Sequence, residues 1–132
     1  MFRLQIKYLS FFFGLVSLLS FFNIIYSYYL NLYLNLETYY ISLIFSLSLS
    51  TIFYKIKIPS KKLTIFEKIL TVFLGYILLP LVLSIPFYFS IYNLTFINSF
   101  FEAISGFTST GFTIFENIKN IDQSLILWRS ST

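Results

Sequence analysis

The chain has 132 residues, of which 58% are hydrophobic and only 11% charged, with a mean hydropathy of +0.83. A soluble domain carries roughly 25% charged residues, and 23% aromatic content excludes a disordered or collagen-like chain. With no Cys and no His, disulfide frameworks, zinc sites and His-based catalysis are excluded too. The composition is that of an integral membrane protein, all-α in class.

Residues 8–36, 38–54 and 69–101 carry no charge. A helix rises about 1.5 Å per residue, so about 20 residues cross a hydrocarbon core of about 30 Å. Membrane helices are therefore expected at 8–30, 38–54 and 69–92. The first is longer than the apolar core of a signal peptide and no small-residue cleavage site follows it, so it reads as an uncleaved span. In the second, Ser42, Ser46 and Ser50 recur every four residues and form a small-residue stripe. That stripe either admits a closely packed partner helix or reflects hydroxyls bonding back to their own helix. The third contains Gly75, Pro80 and Pro86. Pro80 cannot donate to the carbonyl of Tyr76, which predicts a kink near mid-membrane, and Pro86 is expected to loosen the outer end.

Lys and Arg orient these helices. Arg3 and Lys7 precede the first span, and Lys55, Lys57, Lys61, Lys62 and Lys68 crowd the segment 55–68, which Pro59 and Ser60 mark as a loop. The only charge between the first two spans is Glu37. The N-terminus and the Lys-rich loop are thus expected in the cytoplasm. Tyr26, Tyr28, Tyr29, Tyr33, Tyr39, Tyr40, Tyr88 and Tyr92 then fall near the outer ends, where an aromatic belt belongs. The net charge of +4 sits mostly in that one loop, which points to anionic lipid rather than nucleic acid.

After Tyr92 the pattern changes. Ser99 and Glu102 have the spacing of a capping box, so a short helix is expected over 98–107, with Gly106 as its natural stop. It is too short to span. Residues 108–113, Thr-Ser-Thr-Gly-Phe-Thr, are unsuited to a helix and read as extended backbone. A short helix followed by polar backbone beside a membrane span predicts a re-entrant loop, tolerated only where protein or a watery cavity surrounds it. Its geometry suits a cation. The helix aims its partly negative C-terminal end at the membrane centre, and backbone carbonyls can replace the water shell of an ion. Gly111, lacking a Cβ, can take dihedrals that aim its carbonyl. Taken alone, the Ser/Thr/Gly string also fits an ordinary loop.

The string from Ser99 to Thr113, Ser-Phe-Phe-Glu-Ala-Ile-Ser-Gly-Phe-Thr-Ser-Thr-Gly-Phe-Thr, is followed by Leu-Ile-Leu-Trp-Arg-Ser at 125–130. Together they resemble the first pore segment of TrkH-type potassium-uptake proteins of the Trk/Ktr/HKT superfamily. Leu83-Ser-Ile-Pro-Phe87 resembles the end of that family's preceding helix. The resemblance implies four membrane–pore–membrane repeats around one potassium pathway. Thr108, Ser109, Thr110 and Gly111 would offer backbone carbonyls to potassium, with Ser109 replacing the family's usual middle Thr.

On this reading residues 1–54 are an N-terminal two-helix hairpin, 55–68 the cytoplasmic loop, and 69–132 a first pore repeat whose next helix starts at 124–132. The family continues past Trp-Arg-Ser while this chain reads Ser131-Thr132, so a fragment is expected, inactive by itself. The implied whole protein is a potassium-uptake transporter of the cell inner membrane. It would be a homodimer with a cytosolic nucleotide-binding regulatory subunit, the lipid bilayer around it, potassium as transported substrate and no cofactor. Glu102 is read as a helix cap in preference to an external field for cations, and Arg129 as an interfacial anchor beside Trp128. An enzyme is not expected, for no acidic pair lies within a span. The alternative reading is a small non-transporting membrane protein in assembly or helix–helix interaction, its Ser stripe the working surface.

Overall fold

The computed structural model describes residues 6–56 and 64–132. Arg3, Lys57, Pro59, Ser60, Lys61 and Lys62, which carry much of the orientation argument, lie outside the described residues. Among those described the fold is all-helical, and three helices are long and apolar enough to cross a membrane. These are α1 (Ile6–Tyr29), α2 (Leu36–Lys55) and α3 (Ile65–Leu83), the last continued by a single turn, α4 (Ile85–Tyr88). Two shorter helices follow, α5 (Phe96–Phe107) and α6 (Gln123–Ser131).

Local signals set the ends. α1 closes in a Schellman motif, with Leu32 N–H bonded to the Ser27 carbonyl at 2.8 Å and Asn31 in the left-handed region at φ +57°. α3 opens earlier than the charge pattern implied, at a capping box between Thr64 and Glu67. Its helix runs through Pro80, and the break comes at Ser84. Pro86 then sits in the first turn of α4, where a missing N–H costs little, so it starts a turn instead of loosening one.

α1 and α2 pack antiparallel along their small residues. Ser10 Oγ donates to the Ser50 carbonyl at 2.8 Å and Ser50 Oγ returns a bond to the Ser10 carbonyl at 2.9 Å. Ser20 Oγ meets Ser42 Oγ at 3.1 Å, while Ser46 bonds back to its own helix at the Ser42 carbonyl. Both readings of the stripe therefore hold, at different residues. The outside is apolar, with Phe11, Phe21, Phe22, Ile44 and Phe73 exposed, while Ser20, Ser27, Ser42 and Ser46 are buried. In lipid that inversion is expected, because small residues let helices approach and no hydrophobic force drives them together.

The tyrosines divide. Tyr28, Tyr29, Tyr33, Tyr40 and Tyr88 are exposed as a belt requires, but Tyr39 is fully buried and donates to Ser124 Oγ at 2.9 Å. Tyr92 is half-buried and accepts from the Asp122 N–H at 2.6 Å. These two hold the helix ends together.

Candidate functional site: the re-entrant hairpin

The path of the chain after α4 can be followed from ring contacts. Phe96, the first residue of α5, lies 6.4 Å from the ring of Tyr88, at the end of α4. Phe107, its last residue, packs 5.4 Å from Tyr76, midway along the α3–α4 rod. Twelve helical residues have thus descended about 18 Å. The chain then climbs back. Phe115 meets Tyr92 edge-to-face at 5.9 Å, and Asp122 reaches the end from which α5 set out. There α6 begins, and the chain descends again. A helix entering to half depth and an irregular return to the same end form a re-entrant hairpin.

Thr95, not Ser99, caps α5; its Oγ1 accepts from the Asn98 N–H at 3.3 Å, so the helix starts at Phe96, two residues before the expected 98. Ser99 sits inside the helix and bonds back to the Thr95 carbonyl. The far end is not stopped by Gly106. The Thr110 N–H bonds to the Ser105 carbonyl at 3.1 Å and the Ser109 N–H to the Gly106 carbonyl at 2.9 Å, a second Schellman motif with Ser109 at φ +55°. Thr108 to Thr110 are therefore a capping turn where extended backbone was expected. A β-branched residue is an outlier at such a φ, which suits Ser at 109 better than Thr.

Gly106 serves a different purpose. A Cβ there would lie 3.2 Å from the carbonyl oxygen of Arg129 and 2.6 Å from Thr132 Oγ1, so glycine lets α5 and α6 touch. Gly111 does take a left-handed conformation, φ +77°, with nothing within 4 Å of where a Cβ would stand. Between the turn and α6 lies a cavity of about 310 Å³ lined in part by Ser109, Gly111, Phe115 and Arg129.

The four expected ligand residues are contiguous and exposed, but they do not behave alike. Among the described residues no donor is bonded to the carbonyls of Thr108, Ser109 or Thr110. The Gly111 carbonyl accepts from Arg129 Nη2 at 3.3 Å, and the Phe112 carbonyl accepts from the same atom at 2.8 Å.

Glu102 is not a helix cap. It is fully buried, and its Oε1 accepts from Thr113 Oγ1 at 2.7 Å and from the Ile114 N–H at 2.6 Å. Its Oε2 lies 2.9 Å from Arg129 Nε, close enough to attract but without the alignment of a hydrogen bond. Arg129 is accordingly a partner of the loop and not an interfacial anchor. Trp128 is fully buried as well, its indole N–H donating to the Leu83 carbonyl at 3.1 Å.

A second polar cluster, which the sequence reading did not find, pins the start of α6. Asp122 caps it through Ser124, accepts from Asn35 Nδ2 at 2.9 Å, and takes a bond from Ser124 Oγ at 2.6 Å. Asn35 in turn accepts from the Ile91 N–H at 3.1 Å. The available signal was Asp-Gln-Ser just before an apolar run, which is an N-cap pattern; nothing local indicates Asn35.

The chain is 30% identical over 57 residues to a protein of Methanocaldococcus jannaschii described as an uncharacterized cation transporter. The similarity covers 43% of this chain and 12% of that relative. No family model and no solved structure matches. Three helices of spanning length and similarity to a cation transporter mark a membrane protein.

Proposed function

We propose that the chain contributes one pore segment to a potassium-selective permeation pathway, as the N-terminal part of a TrkH-type uptake transporter. The observation that carries this reading is the re-entrant hairpin, which leaves the carbonyls of Thr108, Ser109 and Thr110 without a protein donor among the described residues, halfway along the α3–α4 rod. There the C-terminal end of α5 adds a partial negative charge. Carbonyl oxygens so placed can exchange for the hydration shell of a monovalent cation. One such loop is a fraction of a site, so further loops complete it. The similarity to a protein called a cation transporter supports the class of ion. Because the chain spans 12% of that relative, the activity of the whole protein belongs to the proposal. So do its inner-membrane location, cytoplasmic N-terminus, homodimer and nucleotide-binding regulatory subunit.

The test is a chimera in which the full 132-residue chain replaces the matching N-terminal part of a TrkH-type transporter. It is expressed in a strain lacking potassium uptake. Growth at low potassium and potassium-over-sodium uptake are the expected results. A chimera that inserts normally and carries no potassium would refute the reading.

A further inference from the structure

We propose that Glu102 and Arg129 are positioning residues that decide which carbonyls of the loop face the ion. The inference rests on the permeation reading above and adds a division of labour within the loop. Four consecutive residues, Gly111 to Ile114, are held by three side chains from two helices, Ser105 of α5 donating its hydroxyl to the Phe112 carbonyl beside the two charged residues. Arg129 of α6 takes the carbonyls of Gly111 and Phe112 through Nη2. Glu102 of α5 takes the Thr113 hydroxyl and the Ile114 N–H through Oε1. The two side chains then meet each other, Nε to Oε2, at 2.9 Å.

Three physical consequences follow from that arrangement. The Gly111 and Phe112 carbonyls are turned to a guanidinium and are occupied. The ion-facing set contracts to Thr108, Ser109 and Thr110, whose carbonyls have no donor among the described residues. Finally, a guanidinium beside a cation path would repel the ion, and the buried carboxylate next to it cancels that charge. Arginine is suited to this post because its planar fork can lie against a carboxylate with one nitrogen and reach carbonyls with another. A lysine ammonium is a single point and cannot hold the same set.

The decisive variants are Arg129→Lys, which keeps the charge and loses the fork, and Glu102→Gln, which keeps the shape and loses the charge. Each is placed in the chimera described above, beside Gly111→Ser as reference, at matched membrane expression. Potassium and sodium uptake are measured. In parallel, amide exchange at 111–114 is followed in the full chain in lipid nanodiscs, which stays informative if a variant transports nothing. Both variants are expected to lower potassium-over-sodium discrimination about tenfold and to speed exchange at Ile114 by a similar factor, as lost charge-assisted bonds do. Unchanged selectivity and exchange in both, with Gly111→Ser impaired, would overturn this inference and leave the permeation reading standing. If Gly111→Ser is unaffected as well, the permeation reading fails and this inference fails with it.

Discussion

Two residues of the capping turn and loop, Ser109 and Gly111, sit in the left-handed region for different reasons, and their substitutions should separate. A Cβ at Gly111 meets open space, so Gly111→Ser carries only a conformational penalty, about 1–3 kcal/mol at a functional backbone position. The loop is expected to relax by rotating a carbonyl. In the chimera this should weaken potassium affinity or potassium-over-sodium discrimination while membrane insertion stays normal, as uptake kinetics would show. At Ser109 the strain is already present in the native chain. Ser109→Gly should be neutral or stabilising, because glycine is the preferred residue at that point of a Schellman motif. Ser109→Thr should cost about 1–2 kcal/mol. Denaturant titration of the chain in detergent micelles would rank the three.

Between elements, close approach depends on what faces a missing Cβ. The α5–α6 contact at Gly106 meets backbone, and the α1–α2 contact at Gly14 meets only Ser50 Oγ at 3.5 Å. Gly106→Ala should therefore push α6 outward, at about 1–3 kcal/mol of overpacking, and loosen the Glu102–Arg129 pair. Gly14→Ala should be tolerated and gain about 1 kcal/mol of helix propensity. Thermal unfolding in micelles distinguishes them, and a destabilised Gly14→Ala beside an unaffected Gly106→Ala would contradict this packing. Asp122 governs a different junction. Asp122→Ala removes an N-cap and leaves the buried Asn35 amide Nδ2–H and Ser124 hydroxyl without their acceptor. A loss of about 2–3 kcal/mol is expected in the same assay, with the first turn of α6 fraying by amide exchange.

At the scale of the molecule, the hairpin hangs from one end of the helical bundle. Asn35, Tyr39, Tyr92, Asp122 and Ser124 join the α1–α2 turn, α2, the segment after α4 and the start of α6. Lys7 and Lys68 lie near the beginnings of α1 and α3, at the opposite end. In the proposed orientation, which follows the positive-inside rule, that end is cytoplasmic and the hairpin should open to the outside. Cysteine labelling in intact cells tests this with Leu34→Cys, an exposed position in the outer turn, and Ser60→Cys in the Lys-rich segment. Impermeant reagent should reach the first and not the second. Asn35 would be a poor reporter because it is buried.

The sequence by itself determined the class, the three long helices and the existence of a short helix followed by polar loop. The spans follow from transfer free energy summed over a local window, since some 20 uncharged residues favour a span wherever they lie in the chain, and the short helix and loop from local polarity. Even the capping of α3 by Thr64 was legible locally, as Thr-Ile-Phe-Glu, and was missed only because Glu67 and Lys68 read as loop charges. Which residue meets which was decided by tertiary structure. Glu102 has the spacing of a cap to Ser99, yet packing turns it inward to Thr113, Ile114 and Arg129. Tyr39 has the composition of a belt residue, yet it faces Ser124 at 85 residues' separation. A polar side chain buried at membrane depth takes whichever partner the folded chain brings within about 3 Å, since leaving it unpaired in a low-dielectric interior is costly. That choice depends on how helices rotate against one another, which no local window contains.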